Sequence, residues 1–216
     1  ACNLPIEEFV EKPLARLLLG ASKYRHATGH RNRPLRIAHI GARVFHKGWS
    51  VFEELALKHR EDPRYRFFQM GYDNGTPLSA LITHIPVRVT RTERHQMVEA
   101  IARHEIDVAL IWPLWPETFC FTAYEALAGG SFVITNEKAG NVPALVEKQS
   151  EYGLVLRDVE ELWSYFSDDT LPKLIGNSRR VRGAIVTSGN TVRWLMENHS
   201  EAKSDTLQTK QPVQES

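Results

Sequence analysis

The chain has 216 residues, of which 42% are hydrophobic and 25% are charged, and its 27 Lys and Arg residues nearly balance its 26 Asp and Glu residues. This length suits one domain, or one domain with appendages. The balanced charge predicts neither a nucleic-acid footprint nor a basic membrane-binding face. No apolar run approaches the about 20 residues that a membrane-spanning helix needs.

The two cysteines, Cys2 and Cys120, are far apart and have no metal-ligand spacing. A disulfide framework is therefore not expected, and a reducing cytosol is the expected compartment. The chain has no secretory signal and does not begin with methionine, which we interpret as a fragment of a larger gene product.

Residues 1–34 are predicted to form an N-terminal helix and a basic linker. Apolar residues recur at helical spacing within 3–22, with an interruption at Pro13; they are Leu4, Phe9, Val10, Leu14, Leu17 and Leu18. The following cations are Arg25, His26, His30, Arg31 and Arg33. They could clamp a phosphate or an anionic lipid, but a solvated linker is the interpretation that such a cluster favours.

A short strand over 35–41 ends at Gly41 and leads into a loop with Arg43 and Lys47, followed by a helix from Trp49 to about His59. The loop has neither the Gly-x-Gly-x-x-Gly fingerprint nor the spacing of a P-loop. Both cations can point at the crevice above the strand end, where a diphosphate would need neutralising. The alternative is that they are ordinary surface cations.

The next part of the chain predicts two strands and a helix. One strand spans 65–71 and ends at Gly71, and a short one spans 85–90. The helix covers 91–105, with Met97 and Ile101 facing the core.

A buried strand over 107–111 is followed by Pro113 and Pro116, which hold the chain extended. A helix is predicted to begin near Thr118, with Thr118 or Thr122 as N-cap, and to end at Gly129-Gly130 before a strand over 132–135. Two carboxylates stand here eight positions apart, Glu117 before the helix and Glu125 inside it. Carboxylates accept hydrogen bonds from sugar hydroxyls, and the free amides of residues 119–122 can hold a phosphate. The alternative is two solvated glutamates.

Residues 153–156 form the last predicted strand, and Asp158 caps a helix that contains Leu162, Trp163 and Phe166. The predicted domain therefore spans 35–168. A helical segment over 169–199 and a polar, disordered tail over 200–216 complete the chain.

Strands alternate with helices throughout, which predicts an α/β fold with a Rossmann-like, doubly wound parallel sheet. Ligands of such sheets bind at the carboxyl ends of the strands, where the loops discussed above lie.

Three stretches carry a resemblance to a known family: Pro116-Glu117-Thr118-Phe119, then Glu125-Ala126-Leu127-Ala128-x-Gly130, then Phe132-Val133-Ile134. Together they resemble the donor-site signature of the group 1 glycosyltransferases, which are retaining enzymes of the two-lobed GT-B fold. Glu117 and Glu125 match both glutamates of the family's Glu-x7-Glu motif. The resemblance covers roughly 35–166 and implies the C-terminal, nucleotide-sugar-binding lobe.

The loop over 41–48 is similar to the family's Gly-x-Arg-x-x-x-Lys-Gly loop, so the resemblance implies that Arg43 and Lys47 neutralise the departing diphosphate. It implies that Glu117 positions the transferred sugar and that Glu125 holds the ribose. The implied donor-binding positions are Gly41, Gly71, Thr90, Thr118, Phe119, Cys120, Phe121 and Glu125. Ala139-Gly140-Asn141-Val142-Pro143 departs from the family's Gly-Gly-x-Pro-Glu turn.

The resemblance further implies a nucleotide diphosphate sugar as substrate, with no cofactor, and a carbohydrate or lipid-linked acceptor on a missing N-terminal lobe. No metal is expected, because there is no Asp-x-Asp. Surface polysaccharide synthesis in the cytoplasm is the expected setting, with the inner face of a membrane as the alternative that the missing part would supply. An epimerase or phosphorylase fragment of the same fold and a non-catalytic nucleotide-binding or scaffold module remain as other interpretations.

Overall fold

The computed structural model describes residues 15–19, 33–73, 75, 77–90, 92–178 and 180–187. In chain order its strands are β1 (Ala15–Leu19), β2 (Leu35–Ile40), β3 (Tyr65–Gly71), β4 (Ile82–Pro86), β5 (Val108–Leu110), β6 (Phe132–Asn136), β7 (Gly153–Leu156) and β8 (Gly183–Thr187). Its helices are α1 (Trp49–Lys58), α2 (Gln96–Arg103), α3 (Phe121–Ala128), α4 (Asn141–Glu147), α5 (Val159–Ser167) and α6 (Thr170–Asn177). Single 3-10 turns span Phe45–Lys47 and Ser150–Tyr152.

Six strands form one sheet in the order β4-β3-β2-β5-β6-β7, and every neighbouring pair is parallel. Numbered from β2, this order is 3-2-1-4-5-6, the arrangement of a Rossmann-like sheet. The predicted doubly wound α/β fold is therefore confirmed. The chain divides into two compact units, and this sheet lies in the unit over 17–184. The other unit joins 1–16 with 185–216, and the structure describes only the ends of β1 and β8 within it.

Two hydrophobic clusters cover the sheet, one on each face. Ala38 and Ile40 pack against one cluster, which includes residues of α2, α3 and α4, while Ile37 packs against the other, which includes residues of α1, α5 and α6. Side chains of a strand alternate between the faces, so central strands covered by helices on both sides read as continuous apolar runs. The predicted bounds of β3 and β7 agree with the structure.

The predicted helix over 3–22 is wrong where the structure describes it, because residues 15–19 form β1 and pair with β8 in a two-stranded sheet. Leu17, Leu18 and Leu19 are consecutive, and periodicity does not distinguish such a short apolar run from a strand. The rest of 3–22 lies outside the described residues. The predicted helical segment over 169–199 is also wrong in part, since α6 is followed by β8; residues 188–216 lie outside the described part.

Other element boundaries also differ from the predictions. The strand predicted over 85–90 is β4, which begins at Ile82 and ends at Pro86, and the helix predicted over 91–105 begins at Gln96 as α2. Residues 92–95 instead form a turn, in which the amide of Glu93 donates to the Thr90 hydroxyl. Met97 and Ile101 are buried, as predicted.

The helix expected near Thr118 begins at Phe121, with Cys120 as N-cap, and neither threonine caps it. Glu117 forms a parallel bridge with Gly140, and its amide and carbonyl bond to the backbones of Ala139 and Asn141. This pairing keeps the residues before Phe121 extended, so the helix begins three residues later than predicted. The predicted N-cap of α5 is confirmed, because the Asp158 carboxylate accepts a hydrogen bond from the Glu161 amide at 2.8 Å.

Arg33 is not a solvated linker residue, which corrects the interpretation favoured for that position. Its guanidinium lies 2.7 Å from the carboxylate of Asp107, a buried residue that also bonds to Arg180 at 2.8 Å and to the Arg36 amide at 2.8 Å. A buried carboxylate needs such partners, since leaving it without them costs several kcal/mol. Arg25, His26, His30 and Arg31 lie outside the described residues.

No helix in the described ranges is long and apolar enough to cross a membrane.

Gly48 provides a test of how tightly the loop after β2 is packed. It has φ +77°, and a Cβ atom there would lie 1.9 Å from the carbonyl oxygen of Trp112. Gly75 has nearly the same φ, +75°, but no described atom lies within 4 Å of the position that a Cβ atom would take there. We therefore predict that Gly75→Ala lowers the free energy of unfolding by about 1 kcal/mol, the cost of a left-handed alanine. Gly48→Ala should cost about 3 kcal/mol or more, because the clash adds to that strain.

Urea denaturation of the two variants measures this difference. Equal losses of stability would show that the loop does not pack against Trp112 as described.

Candidate functional site

The order of the sheet reverses between β2 and β5. These strands are neighbours, with Ile37 opposite Val108 and Ala38 opposite Ala109. From β2 the chain continues outward to β3, and from β5 it continues in the other direction to β6. The loops over 41–48 and 111–120 therefore leave adjacent strands and diverge, which opens a crevice at the carboxyl edge. Such a switch point is where ligands bind in open α/β sheets.

An ion pair joins these two loops across the crevice. The Lys47 ammonium lies 2.6 Å from Oε1 of Glu117. The Lys47 side chain is 39% exposed and the Glu117 side chain is 11% exposed, so the pair sits at the mouth of the crevice with the carboxylate on the inner side. The structure thus brings together two of the three residues for which a catalytic role was predicted.

Trp115 also holds the Glu117 side chain in place. The indole N–H of Trp115 donates to the same Oε1 atom at 3.2 Å, and the Trp115 ring stacks on His46 with 4.3 Å between ring centroids. The Leu114 amide donates to the His46 carbonyl at 2.9 Å, so the two loops are also joined through their backbones. The site is therefore positioned before any ligand arrives.

The ion pair borders a narrow cleft with about 10 Å³ of enclosed space. Its lining residues are His39, Ile40, Lys47, Leu110, Ile111, Pro113, Glu117, Cys120 and Thr122. His39 is buried, and burial lowers the pKa of its imidazole to about 4, so the ring is neutral at pH 7. Its Nε2 lies 3.4 Å from the Lys47 carbonyl, while Nδ1 has no hydrogen-bond partner among the described residues. Neutral His39 supports the loop that carries Lys47.

The start of α3 forms the floor on one side of the cleft. No residue in the described ranges accepts a hydrogen bond from the amides of residues 119–122. Amides at a helix N-terminus favour a negative charge, and a phosphate can satisfy them. The Cys120 thiol lies 3.1 Å from the Thr122 hydroxyl, and burial raises its pKa, so it stays protonated. A protonated thiol adds no negative charge that would repel an anion.

Arg43, the third residue for which a catalytic role was predicted, is directed elsewhere. Its side chain is 2% exposed, and its guanidinium lies 2.5 Å from the carboxylate of Asp73, which is 60% exposed. Asp73 follows β3, and Arg43 does not line the cleft beside Lys47. The structure therefore separates the two cations that the sequence placed together.

Glu125 lies one turn inside α3 and is buried, with 9% of its surface exposed. No described residue donates a hydrogen bond to its carboxyl group, and burial raises its pKa to about 7. A carboxyl group with this pKa is partly protonated at neutral pH, so it can both donate and accept a hydrogen bond. Glu125 does not line the cleft that Glu117 borders.

The remaining predicted donor-binding positions lie around the same edge of the sheet. Gly41 directly follows β2 and Gly71 ends β3, and a Cβ atom at Gly71 would lie 2.8 Å from the Gly41 carbonyl oxygen. This close approach accounts for Gly71 within the fold itself. The Thr90 hydroxyl is engaged in its own turn, with Thr92 at 3.2 Å and the Glu93 amide at 3.2 Å.

The aromatic residues near the helix start form a cluster of their own. Phe119 stacks on Tyr124 with 4.9 Å between centroids and contacts Phe121 edge to face, while Phe121 remains half-exposed. The Thr118 carbonyl accepts a hydrogen bond from the Asn141 side chain at 2.7 Å. Thr118, Phe119 and Phe121 thus shape the loop, and their donor-binding role stays a prediction.

Sequence reasoning missed four residues of the site: His39, Asp73, Trp115 as a partner of Glu117, and His46 as its support. His39 could have been noticed from the sequence, because it is a polar residue in the otherwise apolar end of a central strand. The contacts of Asp73 with Arg43 and of His46 with Trp115 join loops that follow different strands, and no local pattern reveals them. Trp115 and Glu117 are two residues apart in one loop, but their spacing alone does not predict the hydrogen bond. Among the described residues, no group of three or more His, Cys, Asp or Glu side chains is arranged to hold a metal ion.

The chain is similar in structure to several solved proteins. No family model matches its sequence, and no curated protein is a match. The C-terminal domain of a group 1 family glycosyl transferase (LpcC) from Francisella tularensis is 17% identical, with a TM-score of 0.48, over 73% of this chain and 89% of that domain. WaaG, a glycosyltransferase involved in lipopolysaccharide biosynthesis, is 16% identical, with a TM-score of 0.47 over 68% of this chain.

A sucrose-phosphate synthase from Thermosynechococcus elongatus is 18% identical, with a TM-score of 0.47 over 68% of this chain. The chain spans 39% of that synthase and 41% of the WaaG structure. Identities this low occur between proteins of unrelated activity, so these similarities do not assign one.

The buried Glu125 carboxyl group predicts a specific pH dependence of stability. Its pKa is raised from 4.5 to about 7 in the folded protein, so ionisation of Glu125 opposes folding. This loss of unfolding free energy is absent below pH 4.5, grows as the pH rises to about 7 and is constant above that. Glu125→Gln removes it, and we predict that the variant gains roughly 3 kcal/mol relative to the unmodified chain between pH 4.5 and 7.

Urea unfolding at several pH values measures this gain, with Glu53→Gln, an exposed position in α1, as the matched control. A stability difference that does not change with pH would contradict the burial of Glu125.

Proposed function

We propose that this chain is the donor-binding lobe of a retaining glycosyltransferase that takes its sugar from a nucleotide diphosphate sugar. The observation that carries the proposal is the Lys47–Glu117 ion pair at the switch point of the sheet, beside the amides of residues 119–122, which have no acceptor among the described residues. A cation, a set of free amides and a carboxylate within one crevice match the three chemical parts of such a donor at its reacting end: the diphosphate, the glycosidic oxygen and the sugar hydroxyls.

In this proposal Lys47 and the amides of residues 119–122 bind the diphosphate and stabilise the charge that develops on it as the sugar leaves. Glu117 accepts hydrogen bonds from hydroxyl groups of the transferred sugar. Glu125, one turn deeper, exchanges hydrogen bonds with the ribose. The phosphate contact predicted for Arg43 requires its pair with Asp73 to open, so we assign the direct contact to Lys47.

The acceptor, a carbohydrate or a lipid-linked carbohydrate, would bind to a second lobe that this chain does not supply. Surface polysaccharide synthesis in the cytoplasm or at the inner face of a membrane is the setting that we propose. The reaction would proceed with retention of the anomeric configuration, without a metal or cofactor.

One observation favours a second candidate, a nucleotide-binding module without turnover. The space inside the cleft is about 10 Å³, room for roughly one water molecule. A sugar nucleotide bound here would therefore stay open to water, whereas turnover is favoured in a closed site. Release of free nucleoside diphosphate from a sugar nucleotide by the chain alone would distinguish the enzyme from the binding module.

Titration of UDP, GDP and dTDP into the full chain by calorimetry, without added metal, tests the binding step that both candidates share. We predict that one of them binds and that Lys47→Ala weakens it about 10- to 100-fold, because one charge-assisted hydrogen bond to phosphate is lost. Lys148→Ala, which removes an equal charge from an exposed position after α4, should leave the affinity unchanged.

Two results would contradict the proposal. One is the absence of binding at millimolar concentration of every nucleotide. The other is an equal loss of affinity in Lys47→Ala and Lys148→Ala, which would indicate a nonspecific response to net charge.

A further inference from the structure

The proposed site contains a conflict between two of its functions. Lys47 is the cation assigned to the diphosphate, yet its ammonium group is bound to Glu117 at 2.6 Å. Glu117 is the carboxylate assigned to the sugar hydroxyls. A phosphate that binds Lys47 therefore competes with Glu117 for the ammonium group and draws it out of the ion pair.

Separation of the pair leaves Lys47 and Glu117 in different situations. Lys47 exchanges a carboxylate for a phosphate and keeps a negative partner. Glu117 has a side chain that is only 11% exposed, and the indole N–H of Trp115 at 3.2 Å is its one other side-chain donor among the described residues. A carboxylate that is mostly withdrawn from water and lacks donors is unfavourable. Glu117 therefore needs new donors when Lys47 turns to phosphate.

Sugar hydroxyl groups supply such donors, and a nucleoside diphosphate without a sugar does not. We propose that exchange of the Lys47–Glu117 ion pair makes the site select the intact sugar nucleotide over the spent nucleoside diphosphate, so that Glu117 recaptures Lys47 and helps to expel the nucleotide once the sugar has left. This inference rests on the proposed function and assigns to Glu117 a second role, in product release.

Charge acts in the same direction. The terminal phosphate of a nucleoside diphosphate has a second ionisation near about pH 6, as other phosphate monoesters do, so at pH 7.5 it carries a negative charge that its sugar ester lacks. That extra charge lies where the sugar would be attached, towards Glu117. Repulsion between the carboxylate and the free terminal phosphate weakens product binding and leaves the donor unaffected.

The second ion pair of the site does not impose the same selection. The Asp73 carboxylate, which pairs with Arg43, is 60% exposed, so water satisfies it when it is released. The free-energy cost of separating Arg43 from Asp73 is therefore nearly the same with and without a sugar. The difference between a mostly buried and a mostly exposed carboxylate therefore points to Glu117 alone as the selecting group.

Glu117→Gln tests the inference because it removes the charge and keeps the shape. The backbone of Glu117 holds the bridge to Gly140 through its amide and carbonyl, so the substitution leaves that pairing in place. The affinities of UDP and UDP-glucose are measured by calorimetry at pH 7.5 with the full chain, and the GDP and GDP-mannose pair and the dTDP and dTDP-glucose pair are measured in parallel. Glu147→Gln, an exposed carboxylate in α4, is the matched control.

We expect the nucleoside diphosphate that fits the site to bind about tenfold more tightly to Glu117→Gln than to the unmodified chain, and its sugar ester to bind more weakly. The preference for the ester should thus fall in this variant and stay unchanged in Glu147→Gln.

Other outcomes separate the two proposals. If the nucleotide binds the unmodified chain and depends on Lys47, but Glu117→Gln binds it equally or more weakly, the exchange is wrong and the donor site stands. If no nucleotide binds to any of these proteins, the proposed function and the exchange fail together.

Discussion

The reversal of strand order between β2 and β5 is the constraint on which the site depends. Two adjacent parallel strands send the chain in opposite directions, so their loops must separate above the carboxyl edge. The loop after β2 brings Lys47 to the crevice, and the loop after β5 brings Glu117. The ion pair between them joins two parts of the chain that the topology would otherwise leave apart. The position of the site thus follows from the sheet, and its chemistry follows from a few loop residues.

Stability and function make opposite demands on these residues. The Lys47–Glu117 pair and the contact of Trp115 with Glu117 order the crevice before a ligand binds, which lowers the entropy cost of binding. The same contacts occupy the groups that a donor would use. Glu125 is a similar case. Its carboxyl group is buried inside α3 and has no described hydrogen-bond donor, so burial raises its pKa and its ionisation destabilises the fold at neutral pH. Polar groups kept at such a cost are a common feature of functional sites.

Much of the fold could be predicted from the sequence, because most strands carry mainly apolar residues and are bounded by glycine or turn residues. The bounds of β3 and β7 needed nothing more. The meeting of Lys47 and Glu117 was also predictable, since both follow strands of one parallel sheet. The start of α3 was not, because it is set by the pairing of Glu117 with Gly140, far along the chain. The turn of Arg43 towards Asp73 and the strand β1 likewise depend on partners distant in sequence.

We propose that an anionic nucleotide binds at the switch point, between the loop after β2 and the start of α3. Hydrogen–deuterium exchange of the full chain with and without saturating nucleoside diphosphate tests this, because it reports on backbone amides along the chain. We predict slower exchange over residues 41–48 and over residues 119–122, whose amides have no acceptor among the described residues and would gain one. Slower exchange confined to the opposite edge of the sheet, around Asp107 and residues 180–182, would contradict this binding site, as would no change at either loop.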